Sequence, residues 1–151
     1  MKTVEEWLRK AYPVPASYPA AIETELAAAQ HSLNKWLHLR PEVLKEHGLR
    51  INSVGNVHEI AAGHSGSVLN IDSLTCALCE RHDLRCNECS LKRITGQGCN
   101  SESPWGEYVR TNDPEPMIAA LQQTVDALKR EQRWTWWWHA AVRGLRAAIG
   151  N

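Results

Sequence analysis

Five cysteines are the residues of this chain whose type and spacing point most directly to chemistry. They stand at Cys76, Cys79, Cys86, Cys89 and Cys99, and the rest of the chain has none. The pattern is Cys76-x2-Cys79-x6-Cys86-x2-Cys89-x9-Cys99. A structural zinc site takes four N or S ligands at tetrahedral positions, with sulfur about 2.3 Å from the metal. A C-x2-C pair supplies two thiolates from one turn of chain, and two pairs complete a site. The spacing therefore predicts Zn2+ on Cys76, Cys79, Cys86 and Cys89. Cys99 is an alternate ligand, because the short excursion between the pairs also leaves open the set Cys76, Cys79, Cys89 and Cys99. His82 or His64 are further substitutes for a thiol. An iron–sulfur cluster is the alternative occupant, since it also takes four thiolates. The C-x2-C-x2-C run of bacterial ferredoxins is absent.

Other uses of the thiols fit less well. A binuclear zinc-cluster module that binds DNA also starts C-x2-C-x6-C. It needs six cysteines and basic intervening residues, whereas Glu80, Asp83 and Glu88 intervene here. Zinc deaminases carry His-x-Glu with Pro-Cys-x-x-Cys; His58-Glu59 lacks that spacing and no Pro-Cys occurs. A redox switch would use the same thiols. Thiol-only ligation predicts a closed structural site, no catalytic residue and no enzyme activity. Chelation should then unfold the segment that the metal holds.

The second unusual feature is Trp134, Trp136, Trp137 and Trp138, flanked by Lys129, Arg130, Arg133, Arg143 and Arg146. Each helical residue turns about 100° from the last, so three consecutive indoles cannot share one core. At least one must be exposed or covered by a partner. Three main readings compete: a core helix with Trp138 inward and the other rings partly covered by residues 1–12; a protein-binding surface, since Trp and Arg dominate interface hot spots; and a helix lying on a membrane surface; nucleic-acid stacking on the rings with Arg support is a fourth. The partner-binding candidates are Trp134, Trp136, Trp137, Arg133 and Arg143.

The elements that must position these residues read as α+β: a helical N-terminal segment, a small antiparallel β element, a Cys-rich zinc-binding loop and a long C-terminal helix. Val4, Trp7, Leu8 and Ala11 give residues 1–12 helical periodicity. Pro13, Pro15 and Pro19 hold an extended connector. A second helix is expected over 20–39, with Ile22, Leu26, Ala29, Leu33, Trp36 and Leu37 on one stripe and Glu23, Gln30, Asn34 and Lys35 off it. Pro41 opens a short helix over 42–47 that Gly48 stops. Residues 49–72 are β-branched and Gly-punctuated, predicting two or three short strands with a hairpin tip at His64-Ser65-Gly66. Asp72 or Ser73 should cap a helical turn carrying Cys76 and Cys79. A loop is expected over 100–113. Asp113-Pro114 then reads as a helix start, and apolar residues from Ile118 to Ile149 recur every three or four positions, with a break near Arg133 or Gly144. The expected organisation is one domain over 1–151: helical at 1–48, strands at 49–72, the metal-binding module at 73–100 and the long amphipathic helix at 113–150.

Composition bounds the rest. The chain has 151 residues, 43% hydrophobic, with seven Trp, no Phe and a formal net charge of zero. This supports a folded protein and argues against a global field that recruits nucleic acid. No signal peptide is read at the N-terminus, and no apolar run approaches the roughly 20 residues of a membrane span. A cytoplasmic location follows as an expectation. The Gly63-to-Gly66 turn is not a phosphate loop, because no Lys-Ser/Thr follows it.

The motifs His31-Ser-Leu-x-Lys-Trp36, Pro41-Glu-x-Leu44, His47-Gly-Leu49, Ile71-Asp-Ser-x-Thr-Cys-Ala-Leu-Cys79, Cys86-x-x-Cys-x-Leu91, Gly98-Cys99 and Asp113-Pro-x-Pro-Met-Ile118 occur in that order. In that order they resemble a set of short Cys-rich proteins encoded by tailed bacteriophages and prophages. The resemblance covers about residues 20 to 128. Ser90-Leu91 stands where that set often has Pro-Leu. The resemblance implies expression in an infected bacterial cytoplasm and assigns no activity. With the residue readings, it suggests a zinc-stabilised interaction protein that binds, and in one version inhibits, a host protein, with anti-defence action such as anti-CRISPR inhibition as a special case. The alternative is a nucleic-acid-binding accessory protein using Arg81, Arg85, Lys92 and Arg93.

Overall fold

The computed structural model describes residues 2–61 and 66–149. The chain begins with α1 (Val4–Ala11), started by a reciprocal cap between Thr3 and Glu6. Each partner satisfies a backbone N–H that the helix leaves free. Trp7 and Ala11 of α1 are fully buried, and the Trp7 indole N–H donates to the His38 carbonyl at 2.9 Å. α2 (Pro19–Ile22) and α3 (Glu25–Leu37) follow. They are two helices where periodicity predicted one. Thr24 is extended, and its hydroxyl accepts from the Ala27 N–H at 3.0 Å, so the chain restarts at a side-chain cap. α4 (Pro41–Glu46) ends at Gly48, whose φ of +67° suits glycine.

β1 (Leu49–Ile51) and β2 (Val57–Glu59) pair antiparallel, Leu49 opposite Glu59 and Ile51 opposite Val57. Leu69 adds one bridge to Val57. The turn between the strands is built on Asn52, whose side chain accepts from the N–H groups of Val54 and Asn56. The expected tip at His64-Ser65-Gly66 falls largely outside the described residues, His64 and Ser65 among them. Gly55 in the first turn has φ +82°, and the Tyr108 ring lies 3.3 Å from where a Cβ would be. Tyr108 donates its hydroxyl to the Gly55 carbonyl at 2.6 Å, which ties the hairpin to a helix more than fifty residues later.

A 3-10 turn (Ser73–Thr75) capped by Asp72 leads into α5 (Ala77–Arg81), and α6 (Ser90–Thr95) closes on Gly96. Residues 100–113 are not simply a loop. α7 (Pro104–Thr111) forms there, with Ser103 as its cap and Pro104 in its first turn. The final helix, α8 (Glu115–Ile149), starts where Asp113 accepts from the Glu115 N–H at 3.0 Å. It runs unbroken past Arg133 and Gly144. Exposed glycine costs a helix only about 0.5–1 kcal/mol relative to Ala, too little to stop one this long.

Helix α3 is the centre of the packing, contacting α8, α5 and α1, while α6 and α7 lie on α8. Trp36 of α3 meets Tyr108 edge-on at 4.7 Å. Met117, Ile118, Leu121, Thr124, Val125 and Leu128 form the buried stripe of α8. That stripe stops at Leu128, although the helix continues to Ile149. No helix is long and apolar enough to cross a membrane among the described residues.

Candidate metal centre and the exposed end of the last helix

Each cysteine is placed by local backbone chemistry. Cys76 is the N-cap of α5, and Cys79 lies in that helix's first turn. The Cys79 N–H and thiol both face the Cys76 sulfur. The chain then reverses through Asp83 and Leu84, at φ +48° and +62°. Left-handed backbone at a leucine is uncommon. It is held by the Leu84 N–H donating to the Cys79 carbonyl at 2.9 Å. Cys86 and Cys89 close a second turn, with the Cys89 N–H on the Cys86 carbonyl at 3.3 Å. Cys89 is the N-cap of α6, and the N–H groups of Leu91 and Lys92 face its sulfur. The two pairs thus share one device: a sulfur at a helix start, facing backbone N–H groups that favour its anion.

All five thiols line one cavity of about 450 Å³. Its other walls come from α3 (Ser32, Lys35, Trp36), the segment Ile71 to Ser73, α7 (Trp105) and α8 (Met117, Leu121). A second hollow, of about 20 Å³, is lined by Cys79, Cys86, Cys89 and Cys99 but not by Cys76. Among the described residues, no three His, Cys, Asp or Glu side chains converge closely enough to enclose a single ion. Cys86 sits at the rim, exposed, with its sulfur 3.6 Å from the Leu84 carbonyl. Cys76, Cys79 and Cys89 are deeper.

The thiols differ sharply in charge, one favoured as the anion and its neighbours held protonated. The neighbouring Cys79 thiol, with the Lys35 ammonium, holds Cys76 well below the usual thiol range despite its burial. The same contact, with burial, pushes Cys79 up. Burial and the charge of Cys76 push Cys99 up to about 12, even though one side of Cys99 meets solvent. Burial also raises Cys89, against the pull of the Leu91 and Lys92 N–H groups. One thiolate therefore suppresses ionisation of its neighbours. A bound cation reverses that order and releases protons.

Lys35 is the residue of this cavity that periodicity missed. It was expected off the apolar stripe, yet it is buried, and its ammonium donates to the Thr75 carbonyl at 2.6 Å and the Thr75 hydroxyl at 3.1 Å. Burial pulls its pKa down, and the charges of Cys76, Cys79, Asp72 and Cys99 oppose that pull. Nothing local in the sequence separates this lysine from an ordinary helix-surface lysine. Asn34, also expected outside, donates to the carbonyl of Lys10 at 2.5 Å.

The substitute ligands divide. His82 borders the smaller hollow, but its Nε2 lies 2.8 Å from the Glu25 carboxylate. His64 lies outside the described residues. The bases proposed for phosphate contact are engaged within the molecule. Arg81 pairs with Glu25 and bonds the Ile22 carbonyl. Arg85 pairs with Glu88, Lys92 with Asn87, and Arg93 with Glu131.

The end of α8 is uncovered. From residue 131 to 149 no residue is buried, and the four indoles are 63% to 77% exposed. The core reading of Trp138 is overturned, with that ring 71% exposed. Residues 1–12 do not cover the rings, because Trp7 and Ala11 spend the apolar face of α1 on α3. Trp136 and Arg143 line an open groove with Leu26, Arg93 and Leu128, where α8 leaves the body. Trp134, Trp137 and Arg133 line a different side, with Arg130. The five partner-binding candidates are therefore exposed but split over two faces. Comparison with protein-family models, with curated proteins and with solved structures finds no match for this chain.

Proposed function

We propose that this chain is a phage-encoded, metal-ordered interaction protein that grips a host protein with the free end of α8. The observation that carries this reading is the run 131–149: four exposed indoles and no buried residue on an otherwise well-packed helix. Between Gln132 and Ile149 there are three arginines and no acid. Trp and Arg are the residues that most often supply interface hot spots. The groove holding Trp136 and Arg143 has an apolar floor and charged walls (Glu25, Arg93, Glu131), which suits a protein surface. Cationic ends of two copies would repel each other, which favours a different partner chain.

The thiolate centre serves this function by holding α5 and α6 against α3 and α8. Zn2+ and an iron–sulfur cluster are its two occupants, each held by four of Cys76, Cys79, Cys86, Cys89 and Cys99. The role is structural and no catalysis is assigned. Inhibition of a host defence protein is the biological form that the phage resemblance favours. The nucleic-acid alternative is weakened because Arg81, Arg85, Lys92 and Arg93 each have an intramolecular partner. A tagged, metal-loaded chain incubated with bacterial lysate should retain a host protein. The Trp136→Ala/Trp137→Ala double variant should lose it. A chain that retains nothing, or whose retention survives both substitutions, overturns the reading.

A further inference from the structure

We infer that the large thiol-lined cavity is the seat of an iron–sulfur cluster held by Cys76, Cys79, Cys89 and Cys99, with Cys86 left free at the rim. This rests on the proposed metal centre and names its occupant. The argument starts from Cys76. It opens onto the cavity of about 450 Å³ and not onto the hollow of about 20 Å³. An occupant of the small hollow would take Cys79, Cys86, Cys89 and Cys99, splitting the first C-x2-C pair and leaving Cys76 without a metal. An occupant that uses both members of that pair must sit in the large cavity.

The large cavity is far roomier than one ion requires. Four thiolates about 2.3 Å from a common zinc nearly touch one another and leave no space between them. The volume instead lies in the range of roughly 300–1,000 Å³ typical of cofactor and small-ligand sites. A cluster fills such a space with its own iron and sulfide and reaches thiolates that stand apart from one another. The surrounding walls are mostly apolar, with Trp36, Trp105, Met117 and Leu121 among them, and Ser32, Asp72 and Ser73 supply polar atoms at one side. Lys35 contributes a buried ammonium on the same wall, a counter-charge for the anionic thiolate assembly. Cys86 and Cys99 both meet solvent, but burial weighs on the Cys99 thiol while the Cys86 sulfur turns to the Leu84 carbonyl, which marks Cys86 as the spare.

The test is metal and sulfide analysis of the full chain, purified without oxygen and, in parallel, reconstituted with ferrous iron and sulfide. Iron and acid-labile sulfide in equal amounts, more than one of each per chain, is the expected result. Cys76→Ser should abolish both, and Cys86→Ser should keep both. Zinc at one per chain without sulfide, lost in Cys86→Ser and kept in Cys76→Ser, overturns the cluster and leaves the metal centre standing in the small hollow. Absence of zinc, iron and sulfide from both preparations overturns the cluster and the metal centre together. Circular dichroism of each variant separates ligand loss from failure to fold, and a folded Cys76→Ser chain that retains iron and sulfide also overturns the assignment.

Discussion

Replacing Lys35 by Met should have opposite consequences in the metal-loaded and the metal-free protein. The methionine matches the lysine stem in length and removes only the ammonium. In the loaded protein four thiolates leave the centre with excess negative charge, whether they hold a dication or a cluster, and Lys35 is the buried cation on the same wall. Removing one partner from a buried charge pair costs about 3–5 kcal/mol, because the other charge is left uncompensated. The Thr75 carbonyl and hydroxyl lose their donor as well, and that loss lies largely within the same figure. At about 2–4 °C per kcal/mol for a domain of this size, Tm should fall by roughly 6–20 °C. In stripped protein the balance changes. The variant no longer buries an ammonium, and Cys76, without its cationic neighbour, takes up a proton rather than stay charged, so several kcal/mol of desolvation are relieved. Against that stands about 1–3 kcal/mol for the orphaned Thr75 carbonyl, the hydroxyl keeping its bonds to Asn70 and Asp72. The net should be close to zero or slightly stabilising. Calorimetric melts of loaded and chelator-stripped protein, wild type against Lys35→Met, read this difference directly. An equal fall in both forms would show that Lys35 acts through packing alone and would refute the charge-compensation argument, as would an unchanged Tm in the loaded form.

Two glycines should respond in opposite directions. A Cβ on Gly106 would lie 2.3 Å from the Ser101 carbonyl oxygen, a backbone atom that cannot swing aside, so Gly106→Ala should cost about 1–3 kcal/mol by denaturant melts. Gly144 has nothing within 4 Å, so Gly144→Ala should raise the helicity of α8 without lowering Tm. Burial pushes the Glu25 carboxyl up, but contacts with Ser90, Arg81 and His82 outweigh it and hold the group below its ordinary value. Its contribution to stability is therefore fully present above the unfolded value of about 4.3 and is lost as pH falls through the lower folded value; Glu25→Gln should flatten the acid limb of a stability-versus-pH curve, and an unchanged limb would remove Glu25 from the account. Trp136→Ala/Trp137→Ala should shift stability by no more than about 0.5 kcal/mol, since both rings are exposed. The wild-type chain should not co-sediment with vesicles containing anionic lipid, and sedimentation abolished by the double substitution would move the free end of α8 from a protein partner to a membrane surface.

Much of the local structure was legible because its causes are local. Asp113-Pro114 starts a helix by capping geometry that needs no distant contact, and Gly48 ends one for the same reason. The break at Thr24 and the helix after Ser103 were also written locally, as a hydroxyl before a helical run, yet stronger signals masked them. The apolar stripe from Ile22 to Leu37 reads as continuous, and Gly106 reads as a loop former. Gly106 is instead the residue that lets α7 pass close to the Ser101 backbone. Trp138 was legible only as a puzzle, because helical geometry forbids a shared core for consecutive indoles without saying what covers them.

Cysteine spacing alone determined that thiols would gather within a short stretch, since a C-x2-C pair brings two sulfurs together whatever the rest of the chain does. It could not say which of the five would reach a common space. That choice depends on α3, α7 and α8, which supply the other walls from residues far away in sequence. The same long-range packing decided that Lys35 is buried beside the thiols and that, among the described residues, none of α8 after Leu128 is buried. Periodicity records which side of a helix is apolar. Only the positions of the neighbouring helices determine whether that side, or a lysine beside it, meets protein or water.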